Sequence, residues 1–365
     1  MNIMNISGHD GMAGSGTPQT SPELLTTMRS AVYLGKEHVE VRDVPIPPVG
    51  DDDILVRNIC SGVCGTDVAV YSHGPGTGHK VDVGGEFGHE TVSRVVAVGR
   101  NITDFQVGER VYPYPLLAKG DPHRAGTLGG FSQYMLCPNP VRGVSLYPVD
   151  PAISDRAASL IEPFTVGMRA AKHAHQREGE HIMVFGAGTI GIAAALGSLQ
   201  LGAGKVMICD YSRLRLGKAA ALGLQVCDLN HDDPIDAARA YFGDARSLDG
   251  PTADIDCMID AAGAESVFET FMTHGKIYGR FVVVAVNNAM RQLDLLRLTF
   301  ANQTLSGSGG YMPEDVTDVQ RLMACGRWDI GSIITASYDL EHIEDAIRAA
   351  GDTARNLTVV IDMEA

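Results

Sequence analysis

The fold class this sequence predicts is α/β in two domains, one β-rich and one built on a doubly wound parallel sheet. Three observations predict it. The N-terminal part carries runs of β-branched residues broken by Gly, Asp and Pro about every ten residues, which reads as many short strands in a barrel-like or sandwich-like arrangement. From about Ser154, apolar strand candidates alternate with Ala- and Leu-rich helical stretches, the βαβ pattern of a parallel sheet. One of those strands runs directly into a GxGxxG turn and a helix. A chain of 365 residues is also long enough for two cores of ordinary size.

Taken in order, Met1 to Thr20 is rich in Gly, Ser, Thr and Asn and reads, with the residues up to 27, as a flexible leader. Ala31-Val32-Tyr33-Leu34 and Val39 to Val44 are strands, closed by the turn residues Pro45, Pro47, Pro48 and Gly50. The same texture continues through Glu90 to Val98, Val107 to Pro113 and Phe131 to Pro138. Helical spacing begins at Ser154-Asp155-Arg156-Ala157-Ala158. Beyond it, Ile182 to Phe185, Val206 to Cys209, Ile255 to Ile259 and Phe281 to Val286 are the expected buried strands. After Thr304 come a short strand, a helix opening near Pro313-Glu314-Asp315, a helix through Leu340 to Ala350 and a last strand at Leu357 to Asp362. This tail is expected to return to the first domain.

Composition narrows the function classes. A formal charge of −15 argues against nucleic acid as partner, because that affinity comes largely from Lys and Arg displacing counterions. No apolar run reaches the roughly 18 residues needed to span a bilayer, so no membrane association is expected. The N-terminus lacks a basic region followed by an apolar core, and seven cysteines, an odd and scattered number, do not form a secreted disulfide framework. A cytoplasmic location is expected.

The stretch Ile182 to Gly191 places a buried strand before Gly186-Ala187-Gly188-Thr189-Ile190-Gly191 and the helical run Ile192 to Leu201. Gly186 permits the tight turn, Gly188 lets backbone approach a pyrophosphate, and Gly191 lets helix and strand pack closely, with phosphate at the helix N-terminus. Asp210 closes the next strand, 19 residues after Gly191, where its carboxylate accepts from adenosine ribose hydroxyls and favours NAD. Arg213 and Arg215, close by, leave mixed NADP use open, and Val286 ends the last strand of this set as a further cofactor contact.

In the β-rich half, Gly62-Val63-Cys64-Gly65-Thr66-Asp67 and Gly84-Gly85-Glu86-Phe87-Gly88-His89-Glu90 offer a thiolate, an imidazole and a carboxylate on glycine-rich loops, a donor set that suits zinc. These motifs, with Glu162-Pro163-Phe164-Thr165-Val166-Gly167, Gly186 to Gly191 and Asp210, resemble the zinc-containing medium-chain dehydrogenase/reductase family, closest in character to its sorbitol, threonine and butanediol dehydrogenase branch. The resemblance runs from about Met28 to the C-terminus. It implies a GroES-like β-rich catalytic domain over residues 28–163 with 305–365, and a Rossmann NAD-binding domain over residues 164–304. It also implies catalytic zinc held by Cys64, His89 and Glu90, with Glu162 as a fourth or exchanging ligand and Asp67 orienting His89. Thr66 would hold the substrate hydroxyl and help remove its proton. The implied activity is NAD-linked oxidation of a secondary alcohol to its ketone, and the reverse, by a homodimer or homotetramer. A zinc-free quinone or enone reductase of the same superfamily, and an inactive NAD-binding protein, are the alternatives.

Three departures from the family pattern matter. No cysteine lies between Gly108 and Ser132, so one zinc per subunit and no structural zinc is expected; Tyr112 to Leu117 and a polar turn at Asp121 to Thr127 stand there instead. Ala69 occupies the position where relatives often carry a proton-relaying histidine, leaving Tyr71, His73 or water for that task. Gly307-Ser308-Gly309-Gly310 precedes Tyr311 where sorbitol-type relatives carry an aromatic and an arginine. Ala69 and Gly310 remove volume at substrate-facing positions, so a bulky substrate is expected, such as a cyclic polyol, a modified sugar or a polycyclic alcohol.

Overall fold

The computed structural model of the protein describes residues 26–77, 79–120, 126–286 and 289–365. Residues 1–25 of the expected leader and 121–125 of the expected polar turn lie outside the described residues. The chain divides into two compact units: one takes the chain up to Val149 with Tyr338–Ile347 and Ile361–Ala365, the other Asp150–Ser337 with Arg348–Val360. The expected boundaries at 163/164 and 304/305 both fall inside the second unit.

The first unit contains strands β1 (Thr27–Gly35), β2 (His38–Pro45) and β3 (Asp53–Gly62), helix α1 (Gly65–His73), then β4 (Gly85–Glu86), β5 (Glu90–Val98), β6 (Arg110–Pro113), β7 (Tyr134–Pro138) and β8 (Leu146–Pro148). β1 and β2 form an antiparallel hairpin, and β3 pairs antiparallel with both β5 and β7. Alternation along β3 and β5 sends Ile54, Val56 and Val95 into a core with Phe105, Val111, Met135 and Leu146. Each such side chain contributes about 1.5–3 kcal/mol when buried. A polar pin complements that core. The Asn58 amide donates to the carbonyls of Gly129 (3.0 Å) and Ser132 (2.7 Å), and Ser93 Oγ donates to Asn58 Oδ1 at 2.7 Å, all buried. Segment 129–132 is thereby fixed beside Phe87 and Gly88, just ahead of His89.

The second unit contains α2 (Asp155–Ala158), α3 (Ile161–His173), β9 (His181–Phe185), α4 (Thr189–Gln200), β10 (Lys205–Asp210), α5 (Arg213–Ala221), β11 (Gln225–Asp228) and α6 (Pro234–Phe242). There follow β12 (Asp244–Ser247), β13 (Gly250–Ala253), β14 (Cys257–Asp260), α7 (Glu265–His274), β15 (Arg280–Val283), α8 (Leu295–Ala301), β16 (Thr304–Gly307) and α9 (Pro313–Ala324). Six strands form a parallel sheet in the order β11-β10-β9-β14-β15-β16. The order reverses between β9 and β14, the place where a doubly wound sheet leaves a crevice at its strand ends. β16 continues this sheet, and α9 packs on α3, where Lys172 Nζ meets the buried Asp315 at 2.6 Å. Those contacts are why residues 305–324 lie in the second unit and not the first. The hairpin of β12 and β13 was not expected from the sequence. No helix among the described residues is long and apolar enough to cross a membrane.

Candidate active site

In the first unit, Cys64, His89 and Glu90 each bring a ligand atom to within 4.8 Å of the others. The chain delivers them from two directions. Cys64 is the N-cap of α1, just after β3, while His89 immediately precedes the neighbouring β5 and Glu90 opens it, Gly62 and Glu90 being register partners. A Cβ on Gly62 would overlap the Glu90 carboxylate, so only glycine leaves that carboxylate its place.

Asp67 ties the two sides together. Its Oδ2 accepts from the Cys64 backbone N–H at 3.0 Å, and its Oδ1 lies 3.5 Å from His89 Nδ1, an electrostatic contact rather than a formed hydrogen bond. Among the described residues of the first unit, the buried side-chain N and O atoms without a hydrogen-bond partner are Thr66 Oγ1 and His89 Nδ1. Both belong to this cluster; His89 Nδ1 faces Asp67, while the Thr66 hydroxyl is left to receive a group. Burial pushes the Cys64 thiol up to about 11, with the Glu90 charge adding to it. Burial opposes charge on His89, but Asp67 and Cys64 outweigh it and raise its pKa well above the ordinary value. The donor set of thiolate, imidazole and carboxylate fits zinc.

Of the residues considered for proton escape, Tyr71 is buried in α1 and His73 is exposed in its last turn. A residue that sequence reasoning missed stands closer. The His79 ring packs edge-on to the His89 ring, centroids 4.4 Å apart, and burial first, then the charge of His89, lowers its pKa to about 4. Only its position ten residues ahead of His89 in a glycine-rich loop was available as a signal.

In the second unit, β9 turns at Gly186 (φ 96°) into α4, whose N-cap is Gly188, and Gly191 backs against the Gly186 carbonyl so closely that a Cβ would collide. Asp210 ends β10 and accepts from the Ala187 N–H at 2.6 Å and the Ser212 N–H at 2.7 Å. Gly186, Gly188, Asp210 and Arg215 line one cavity of about 520 Å³. Arg215 Nε is buried there without a partner, and its guanidinium reaches beside Gly188. Asp232 and Asp233 line the same cavity and were missed; Asp233 reads in sequence only as the cap of α6, where it accepts from the N–H groups of Ile235 and Asp236. Thr189 shares a 2.7 Å hydrogen bond with Thr358 and Gly191 packs behind the turn, so neither these two nor Ile190 is among the cavity's lining residues. Val286 is 84% exposed and also stands outside that lining. Glu162 is a buried carboxylate in the first turn of α3.

A second group of metal-capable side chains, His181, Asp254 and Asp256, already holds a cation. Lys276 Nζ sits 2.6 Å from Asp254 and 2.5 Å from Asp256, so an ammonium fills that position.

Residues 50–147 match the model of the alcohol dehydrogenase GroES-like domain, and residues 189–324 match that of the zinc-binding dehydrogenases. Sorbitol dehydrogenase of Bacillus subtilis (strain 168) is 24% identical over 347 residues, covering 88% of this chain and 93% of that protein. L-threonine 3-dehydrogenase of Rhizobium etli (strain CIAT 652) is 27% identical over 343 residues, covering 89% and 96%. The crystal structure of 2R,3R-butanediol dehydrogenase from Bacillus subtilis superposes with a TM-score of 0.79 at 22% identity, covering 92% of this chain and 99% of that one. The fold and these matches define an oxidoreductase with a GroES-like domain and a Rossmann-type domain. The chain belongs to the zinc-type medium-chain dehydrogenases of the alcohol dehydrogenase superfamily.

Proposed function

We propose that this protein catalyses the NAD-linked, zinc-dependent interconversion of a bulky secondary alcohol and its ketone. The observation that carries the proposal is the convergence of Cys64, His89 and Glu90, buried beside the unpaired Thr66 hydroxyl. Cys64, His89 and Glu90 would hold the metal, and Glu162 enters as fourth or exchanging ligand on the resemblance alone. When bound, zinc supplies Lewis acidity to the alcohol oxygen and NAD the acceptor for the hydride. Asp67 orients His89 and fixes Cys64 through its backbone. Thr66 Oγ1 would accept a hydrogen bond from the substrate hydroxyl and so orient it.

Gly186, Gly188, Thr189, Ile190 and Gly191 would form the turn and helix start that receive the pyrophosphate, and Asp210 would accept from the ribose hydroxyls once Ala187 and Ser212 share it. Preference for NAD is supported by three carboxylates, Asp210, Asp232 and Asp233, in one cavity, which oppose a 2′-phosphate. Arg213 is engaged elsewhere, with His231 at 2.8 Å. Arg215 would face the phosphates or ribose. Val286, 84% exposed and outside the lining of this cavity, stays in the proposal as a cofactor contact on the sequence reading alone.

One zinc per subunit is proposed, since the segment without cysteines is held by Lys119 Nζ, which bonds Glu86 at 2.8 Å and reaches the Thr127 carbonyl at 3.4 Å. The bulky substrate rests on the resemblance, at whose substrate-facing positions Ala69 and Gly310 remove side-chain volume. All seven cysteines are free thiols, in keeping with a reducing cytoplasm. A homodimer or homotetramer is supported by β16, an edge strand, and by Leu295, Leu296 and Phe300 exposed on the adjoining α8.

The test is zinc content per subunit together with NAD-dependent oxidation of alcohols from 2-propanol to cyclic polyols and polycyclic alcohols. One zinc, with chelator-sensitive activity that rises with substrate size, is expected. Intact activity in metal-free protein would move the assignment to the zinc-free reductases.

A further inference from the structure

Asp260 is a buried carboxylate that the proposed reaction does not use. It ends β14, which pairs with β9 where the strand order of the parallel sheet reverses, and it builds the turn that follows. Its Oδ1 accepts from the N–H of Ala262 at 3.0 Å and of Gly263 at 2.7 Å, and its carbonyl accepts from the N–H groups of Val284 and Ala285, both at 3.0 Å. The Ala261 N–H donates to the Phe185 carbonyl at 2.9 Å, so the turn is also tied to the end of β9. This turn presses on the glycine motif. A Cβ on Gly186 would lie 3.0 Å from the Ala261 carbonyl and 3.1 Å from Ala262 N, and one on Gly191 would lie 3.5 Å from the Ala261 Cβ. Ala261, Ala262 and Ala264 in turn line the cavity that Gly186, Gly188, Asp210 and Arg215 share. With contacts this close, relaxing the turn changes the shape of that cavity and the room left at the glycines.

Resting on the proposed NAD-linked reading, we infer that Asp260 is a positioning residue for the dinucleotide, holding Ala261 and Ala262 through its two backbone bonds as a wall of the cavity for the adenosine half. Asp260 itself is not among the residues lining that cavity, so it acts on the cofactor through the turn. Its substitution therefore costs nucleotide affinity rather than turnover, and costs AMP and NAD equally, because the cavity that contains Asp210 takes the adenosine half. Burial raises the Asp260 pKa, while the Gly263 and Ala262 N–H groups and the charge of Arg291 hold it down. The task falls to the accepting oxygen and not to its charge, so an amide can replace the carboxylate.

The experiment measures Kd for AMP and NAD by calorimetry, KM for NAD and kcat, and thermal stability without nucleotide, in wild type, Asp260→Ala, Asp260→Ser and Asp260→Asn. Asp260→Ala is expected to weaken AMP and NAD alike by about tenfold, the equivalent of one hydrogen bond, and to raise KM for NAD far more than it changes kcat. Asp260→Asn is expected to restore most of the affinity. Asp260→Ser, a shorter acceptor, is expected to fall between the two, which keeps the comparison if Asp260→Ala does not fold. AMP affinity unchanged in Asp260→Ser, equal losses in Asp260→Asn and Asp260→Ser, or a fall in kcat with KM unchanged would overturn the inference by leaving Asp260 a residue of the fold alone. A wild type that takes NADP in place of NAD, with the same response to Asp260, would support the inference while overturning the NAD reading beneath it; one that binds no dinucleotide would overturn both.

Discussion

Asp67 serves two neighbours with one carboxylate, and the two tasks separate under substitution. Asp67→Asn keeps an acceptor for the Cys64 N–H but loses the charge facing His89, so the fold should persist while zinc affinity falls about 10–100-fold, measured by competition with a chelating dye. At the nucleotide end, Asp210→Ala removes the acceptor and one of three cavity carboxylates. KM for NAD should rise at least about tenfold and the NAD-to-NADP ratio of kcat/KM should shrink, read from initial rates with both cofactors. Single residues were legible in the sequence where chemistry restricts the choice: Cys64, His89, Glu90 and Asp210 stand out by type and by the motif around them. His79 did not, because an isolated histidine in a glycine-rich loop has no spacing that announces a neighbour across the turn. The apolar run ending at Val286 overstates its strand: the strand stops at Val283, and the amides of Val284 and Ala285 both bond the Asp260 carbonyl.

Elements were legible wherever period and punctuation agreed. β9, β10 and α9 lie where apolar runs, glycines and Pro313 placed them, since a buried parallel strand and a proline-opened helix leave strong local patterns. The hairpin of β12 and β13 was hidden by Gly250 and Pro251, which read as loop yet sit in a two-stranded ladder paired with Arg246 and Ser247. The join between strand β9 and helix α4 also gives a sharp prediction. Gly191→Ala would drive a methyl into the Gly186 carbonyl, so a loss of about 1–3 kcal/mol is expected, seen as a lowered melting temperature together with weakened NAD binding by calorimetry. Lys172 is the element-scale counterpart: it meets Asp315 and Asp318 and holds α9 on α3.

At the scale of the molecule, two units and a parallel sheet were legible, while the tail divides between the units, with Tyr338–Ile347 and Ile361–Ala365 in the first and the rest in the second. Sequence pattern identifies a strand at 304–307 without naming its partner, and only pairing with β15 decides to which sheet it belongs. That same strand ends the sheet, with Leu295, Leu296 and Phe300 exposed beside it. Replacing Leu296 and Phe300 with Asp should shift the protein to monomer in sedimentation velocity while leaving its circular dichroism intact, because both side chains face solvent within the subunit.

The bridge between Glu86 and Lys119 has one more consequence. On the proposal of one zinc per subunit, a lobe secured by this lysine does not come apart when metal is withdrawn, so the protein should survive being emptied. Dialysis against a chelator is expected to give a folded, inactive protein that other divalent ions can refill, and cobalt reconstitution with its visible absorption band would then report on the thiolate of Cys64 directly.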